Sequence, residues 1–168
     1  MGHASILDQF DDELDTLKAL RALVKRLLKD LFANGPVPIH DIRARVKSRD
    51  SLERKLLKDP TKYLQLSDIT DVCAARVITY VEDQVDAVAA VIEREFEIDW
   101  ANSIDKRKAT EPDRFGYTSL HYICSLSPAR AALTENTRFA GRKFEIQPVD
   151  SSTRVGPDRT RLAVQERT

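Results

Sequence analysis

The run Ile39 to Lys55, I-H-D-I-R-A-R-V-K-S-R-D-S-L-E-R-K, constrains the fold more than any other stretch of the chain, because its periodicity changes halfway. In the first half Ile42, Ala44 and Val46 alternate with Asp41, Arg43, Arg45 and Lys47, the two-residue repeat of a strand with one apolar and one polar face. After Ser48 the repeat becomes helical. Ser48 or Asp50 is placed to cap the new helix, with Ser51 in its first turn and Lys55 one turn later on the same side. A strand end and a helix start therefore direct Arg45, Lys47, Ser51 and Lys55 toward one place. A helix N-terminus carries unpaired N–H groups and a partial positive charge, so that place suits a polyphosphate. Taken alone, the same residues also describe a basic strand edge followed by a solvated helix.

The local cluster matters because the chain as a whole offers no basic field. Its 168 residues contain 27 Lys plus Arg and 27 Asp plus Glu, a balance that argues against non-specific nucleic-acid binding driven by net charge. The length suits one domain with a real core. Cys73 and Cys124 lie in apolar strand-like runs without metal-ligand spacing and are expected as buried thiols of a cytosolic protein. No signal-peptide order or long apolar span is seen, so a soluble, cytoplasmic protein with no membrane partner is expected.

Along the chain, Leu7, Phe10, Leu14, Leu17, Leu20, Val24, Leu27, Leu28 and Leu31 mark a long amphipathic helix that Asn34-Gly35-Pro36 stops. The helix beginning near Ser51 should end at Asp59, before Pro60, and Tyr63 to Thr70 should form a loop or short helix. Asp71 to Tyr80, D-V-C-A-A-R-V-I-T-Y, reads as a central strand. Strict alternation from Asp71 would put Arg76 on the opposite face, so the strand must begin after Asp71 or contain a bulge. A helix capped by Glu82 or Asp83 follows, with Val85, Val88, Ile92 and Phe96 as its buried stripe, and then a strand-like segment to Trp100. Asn102 to Arg114 reads as a mobile loop in which Lys106 and Lys108 are loop charges, and Pro128 to Gly141 as another loop. Strands are expected at Phe115 to Leu126 and Arg142 to Gln147, with Tyr117, Ser119 and His121 on one face of the first, and Lys143, Glu145 and Gln147 on one face of the second.

These readings predict an α+β fold: a mixed sheet of about five strands with helices on one face and a ligand site on the open face. Arg45, Lys47, Tyr117, Ser119, His121, Glu145 and Gln147 would display there an aromatic ring for a base, cations for phosphates, and in Glu145 a carboxylate that with Asp71 could hold Mg²⁺ or move a proton. Walker A, G-x-G-x-x-G and kinase-loop motifs are missing, which excludes the common nucleotide folds.

Four segments, R-V-K-S-R-D-S-L-E-R-K, D-V-C-A-A-R, F-G-Y-T-S-L-H and F-E-I-Q, in this order and spacing, resemble the synthetase domain of the RelA/SpoT alarmone synthetases in their small single-domain form. The resemblance covers about Ile39 to Gln147. It implies a nucleotidyltransferase-like synthetase fold and a GTP diphosphokinase activity, in which the pyrophosphate of ATP passes to the ribose 3′-hydroxyl of GDP or GTP to make (p)ppGpp in the stringent response. By the same resemblance, Arg45 and Arg76 flank the adenine, and Lys47, Ser51 and Lys55 hold the ATP phosphates. Asp71 and Glu145 bind Mg²⁺. Tyr117 stacks on the acceptor guanine, Ser119 belongs to the same substrate-binding motif, and His121 lies near the acceptor's phosphates. Glu145 takes the hydroxyl proton with Gln147 in support. Two alternatives stand beside it: a toxin-type relative that pyrophosphorylates the 3′ end of tRNA, and a truncated, non-catalytic nucleotide-binding remnant.

The chain thus divides into an amphipathic helix over 1–38, a synthetase core over 39–147 and an atypical polar tail over 148–168 that is expected to be disordered. The tail departs from the resemblance, which calls for further helices and a run such as I-E-H-D-L. Codons can be chosen for Pro157 to Thr168 that, read one base later, spell R-I-E-H-D-L-R-Y-K-S-E, so a frameshift after Gln147 is the expected origin. Losing those helices would weaken both activity and a homo-oligomer.

Overall fold

A computed structural model describes residues 3–107 and 120–151. The long helix forms as its spacing predicts, α1 over His3–Ala33, and is followed by β1 over Ile39–Val46 and α2 over Arg49–Lys58. After a short 3-10 helix at Leu66–Asp68 come β2 (Cys73–Thr79), α3 (Val85–Glu95), β3 (Phe96–Ile98) and β4 (Ile104–Asp105). The chain is described again from β5 (Leu120–Leu126), through α4 (Pro128–Ala131) and a 3-10 helix at Thr134–Phe139, to β6 (Phe144–Asp150).

The strands make one six-stranded mixed sheet in the order β1-β2-β6-β5-β3, with β4 paired to β5 off that path. β2 and β6 run parallel, whereas β1–β2, β5–β6, β3–β5 and β4–β5 are antiparallel. Because paired residues point the same way, register divides the sheet into two faces. One face carries Ala44, Ala75, Ile146 and Tyr122 in a row, all nearly or fully buried. Leu20, Val24, Leu28 and Phe32 of α1 and Val85, Val88, Ala89 and Ile92 of α3 close over that face, in one apolar core with Phe139. Cys73 and Cys124 are buried within it as free thiols, and burial pushes the Cys73 thiol up to about 12.

A second, smaller core anchors the helix that carries the basic residues. Leu52 and Leu56 of α2 are fully buried against Ile6, Leu7, Phe10 and Leu17 of α1, with Leu66, Ile69 and Val72. Each such leucine contributes about 1.5–3 kcal/mol, so α2 is fixed by packing as well as by its cap. The Ser48 hydroxyl accepts the Ser51 N–H at 3.2 Å, the N-cap bond that ends the strand-like run and starts the helix.

Four expectations change. The sheet has six strands, because the two residues of β4 pair with β5 inside the stretch read as a mobile loop. Pro128–Gly141 is not a plain loop: Ser127 caps α4 by accepting the Arg130 N–H, with Pro128 in the first turn, and the 3-10 helix follows. A 3-10 turn at Glu82–Gln84 precedes α3, and the Gln84 side chain, not that of Glu82 or Asp83, accepts the Tyr80 and Val81 N–H groups. Lastly, β6 begins at Phe144 and continues past Gln147 to Asp150, pairing Pro148, Val149 and Asp150 with Val77, Ile78 and Thr79. The described pairing of β6 with β5 stops at Ile146, so Pro148 sits where the strand has a described partner on one flank only and its missing N–H is tolerated. Residues 115–119 of the expected strand and 152–168 of the tail lie outside the described residues, as does Lys108. No helix among the described residues is long and apolar enough to cross a membrane.

Candidate functional site

The open face of the sheet is set by the other half of the register. Arg45, Ala74, Glu145 and Ile123 form one row across β1, β2, β6 and β5, and Arg43, Arg76 and Gln147 form the next. Arg76 reaches this face because β2 begins at Cys73, after Asp71, which removes the alternation conflict between the two residues. Ala74 went unnoticed in the sequence. Its methyl group is the one small side chain between Arg45 and Glu145 in this row, and the small residues of D-V-C-A-A-R carry the signal.

Two polar clusters flank this row. The first lies at the end of β1, where the Lys47 N–H donates to the Val72 carbonyl at 2.7 Å and so pins the strand end beside Asp71. Lys47 Nζ stands 3.2 Å from Asp71 Oδ2, and Lys55 Nζ, from the second turn of α2, stands 3.1 Å from Oδ1. Burial works to raise the Asp71 pKa, but the two ammonium groups outweigh it and hold the carboxyl below its usual value. For Lys55, burial pulls the other way, and Asp71, Tyr63 and Glu145 overcome it to leave the ammonium more basic than usual. That Glu145 acts on Lys55 links this cluster to the second. Tyr63, another residue the sequence did not single out, has its ring 5.9 Å from Lys55 Nζ and 5.3 Å from Lys62 Nζ.

The second cluster crosses the central strands. His121 Nδ1 is 2.6 Å from Glu145 Oε1, Gln147 Nε2 is 3.4 Å from His121 Nε2, and Arg76 Nε donates to Gln147 Oε1 at 3.1 Å. The His121 and Glu145 side chains are 28% and 19% exposed, low enough to be ordered by these bonds and open enough to meet a ligand. The Arg45 side chain makes no hydrogen bond or ion pair with any described residue. Ser51 Oγ accepts from Arg54 at 3.0 Å on the exposed side of α2.

Of the residues expected at one site, the structure brings Arg76, His121, Glu145 and Gln147 into one hydrogen-bonded chain, and Lys47, Lys55 and Asp71 into one ionic cluster beside it. Arg45 shares a row with Glu145, and Ser51 sits in the first turn of α2. Tyr117 and Ser119 lie outside the described residues. No group of three or more His, Cys, Asp and Glu side chains that could hold a metal is found among the described residues. A cation bound by one or two carboxylates and by substrate phosphates needs no such group, and the hard oxygens of Asp71 and Glu145 fit Mg²⁺ in kind. Asp71 now spends both oxygens on lysines. Phosphates entering beside Lys47 and Lys55 would draw off those ammonium groups and release the carboxylate.

Comparison with known proteins identifies the fold and the family. The structure resembles small alarmone synthetase 1 from Bacillus subtilis bound to its product pppGpp, at 17% identity over 85% of this chain and 74% of that one, with a TM-score of 0.65. A GTP pyrophosphokinase family protein from Streptococcus pneumoniae is similar at 18% identity over 95% and 85%, with a TM-score of 0.59. Small alarmone synthetase 2 from Bacillus subtilis is similar at 25% identity over 86% and 70%, with a TM-score of 0.50. These likenesses establish the α+β synthetase fold. No curated protein matches the chain by sequence. Residues 44–150, more than half of the chain and bounding both clusters, match the family described as a region found in RelA / SpoT proteins, and the chain therefore belongs to the RelA/SpoT family.

Proposed function

We propose that the protein transfers the pyrophosphate group of ATP to the ribose 3′-hydroxyl of GDP or GTP, forming a (p)ppGpp alarmone. The observation that carries this reading is the placement of Glu145, a carboxylate on the open face, hydrogen-bonded to His121 and acting on Lys55, which shares Asp71 with Lys47. Family membership and the pppGpp carried by one structural relative support it.

On this reading the ATP phosphates lie against Lys47, Lys55 and the α2 N-terminus at Ser51, with the adenine beside Arg45 and the face of Arg76. The acceptor lies over Glu145, with Tyr117 assigned to its base and Ser119 and His121 to its neighbourhood. The 3′-oxygen attacks the β-phosphorus in line, the bond from that phosphorus to the α-bridging oxygen breaks, and AMP leaves. The hydroxyl proton passes to Glu145, a transfer that contributes typically about 10²- to 10⁴-fold. Lys47 and Lys55 neutralise charge that builds on the phosphoryl oxygens. Mg²⁺, held by Asp71 and Glu145, would supply further neutralisation of the same charge.

The test is to incubate purified protein and Mg²⁺ with ATP labelled in its β-phosphate, with GDP, GTP or tRNA as acceptor. Label in a guanosine 3′-pyrophosphate supports the reading; label in tRNA alone, or in no acceptor, refutes it.

A further inference from the structure

The chain from Arg76 to Glu145 has a direction that donor and acceptor chemistry alone determines. A guanidinium carries N–H donors and no acceptor, so the atom of Gln147 that Arg76 Nε meets at 3.1 Å must be the amide oxygen. Turning the amide over would set N–H against N–H. The Gln147 nitrogen therefore faces His121 Nε2 at 3.4 Å, and because an amide nitrogen only donates, that ring nitrogen must be the bare acceptor. The imidazole hydrogen is left on Nδ1, 2.6 Å from Glu145 Oε1. A proton on both ring nitrogens would again set two donors against each other at Gln147.

We infer that Arg76, Gln147 and His121 are positioning residues: the one-way polarity that starts at the Arg76 guanidinium locks His121 in its Nδ1–H tautomer and thereby holds Glu145 as an oriented proton acceptor. One Glu145 oxygen is tethered by the imidazole, and the other makes no hydrogen bond with a described residue, leaving it to meet an acceptor hydroxyl. Cross-strand register is what makes the chain possible, since Arg76 and Gln147 are paired residues of the parallel β2–β6 ladder and His121 and Glu145 lie on the adjoining antiparallel strands. The consequence for catalysis rests on the transfer reaction proposed above; the tautomer does not.

The test is nitrogen NMR of protein labelled with ¹⁵N-histidine, with the three histidines distinguished by a His121→Gln variant. The expected spectrum shows His121 protonated at Nδ1 and bare at Nε2, the reverse of the tautomer that prevails for histidine in water. In Gln147→Leu, which keeps size but loses the donor, His121 should revert to a mixture, and kcat for pyrophosphate transfer should fall roughly ten- to hundredfold with both KM values nearly unchanged. A wild-type His121 protonated at Nε2, or at both nitrogens, overturns the proposal, as does a Gln147→Leu spectrum identical to wild type. The predicted tautomer in a protein that transfers no pyrophosphate would leave the hydrogen-bond chain standing and refute the functional reading instead.

Discussion

Replacing Asp71 by Asn should expose how much of the site's order is electrostatic. Its carboxylate is the shared counter-charge of Lys47 and Lys55, at 3.2 and 3.1 Å, with side-chain exposures of 10% for Lys47, 30% for Lys55 and 23% for Asp71 itself. At about 3 Å and an effective dielectric of about 20, each contact has a gross Coulomb energy of roughly 5 kcal/mol, most of it cancelled by desolvation. Removing one partner of a buried pair costs about 3–5 kcal/mol, whereas exposed pairs are worth under about 1. With exposures between those limits, Asp71→Asn should lose about 2–3 kcal/mol, because it strands two ammonium groups side by side. In urea, where slopes are about 1–3 kcal/mol per molar, the unfolding midpoint should fall by about 1 M at neutral pH. Asp71→Asn/Lys47→Met should recover at least half of that loss. The pH dependence has a definite sign. The Asp71 pKa is lowered in the folded state, so its stabilisation is complete above the ordinary carboxyl value of 3.8 and disappears as pH falls through the lowered one. Asp71→Asn should therefore flatten the acid limb of the stability curve. A variant with an unchanged midpoint, or a double variant no more stable than the single one, would refute this account of the cluster.

Other perturbations follow from the same geometry. Glu145→Gln should lower kcat about 10²- to 10⁴-fold while leaving nucleotide affinity nearly intact in equilibrium dialysis; an equal loss of binding would argue against the role of base. Lys55→Met should weaken ATP binding about tenfold or more, through loss of a charge-assisted phosphate contact, and calorimetric titration would register it. Ser48→Ala removes the bond that caps α2 and should cost about 1 kcal/mol in chemical denaturation. Leu28→Ala empties a fully buried position between α1 and the sheet and should cost about 2–5 kcal/mol.

Most of the local architecture was readable because its causes are local. The switch from strand to helix at Ser48 depends on a two-residue repeat, a capping hydroxyl and the apolar pair Leu52 and Leu56, all within a short run. The end of the last strand, expected at Gln147, falls three residues later, at Asp150, for the complementary reason. Proline ends a strand that is paired on both sides, and only the tertiary arrangement says that β6 has one described partner there. β4 escaped notice because two residues carry no period, and their pairing is imposed by β5. The cap of α4 is visible in Ser127-Pro128, although the stretch that begins at Pro128 has the composition of a loop.

The candidate site divides along the same line. Residue types and faces could be read from alternation, which placed Arg45, Glu145 and Gln147 on the polar side of their strands. Partners could not. That Asp71 joins Lys47 to Lys55, or that His121 meets Glu145, depends on the order β1-β2-β6-β5, and no spacing within one strand encodes which strands become neighbours.

If two nucleotides meet over the row Arg45, Ala74 and Glu145, the most direct measurement is a crystal structure of the Glu145→Gln variant with ATP, Mg²⁺ and GDP. It should place the ATP phosphates against Lys47 and Lys55, with the acceptor 3′-oxygen within about 3 Å of the residue-145 side chain. Nucleotides bound elsewhere, or an acceptor whose ribose points away from residue 145, would contradict it.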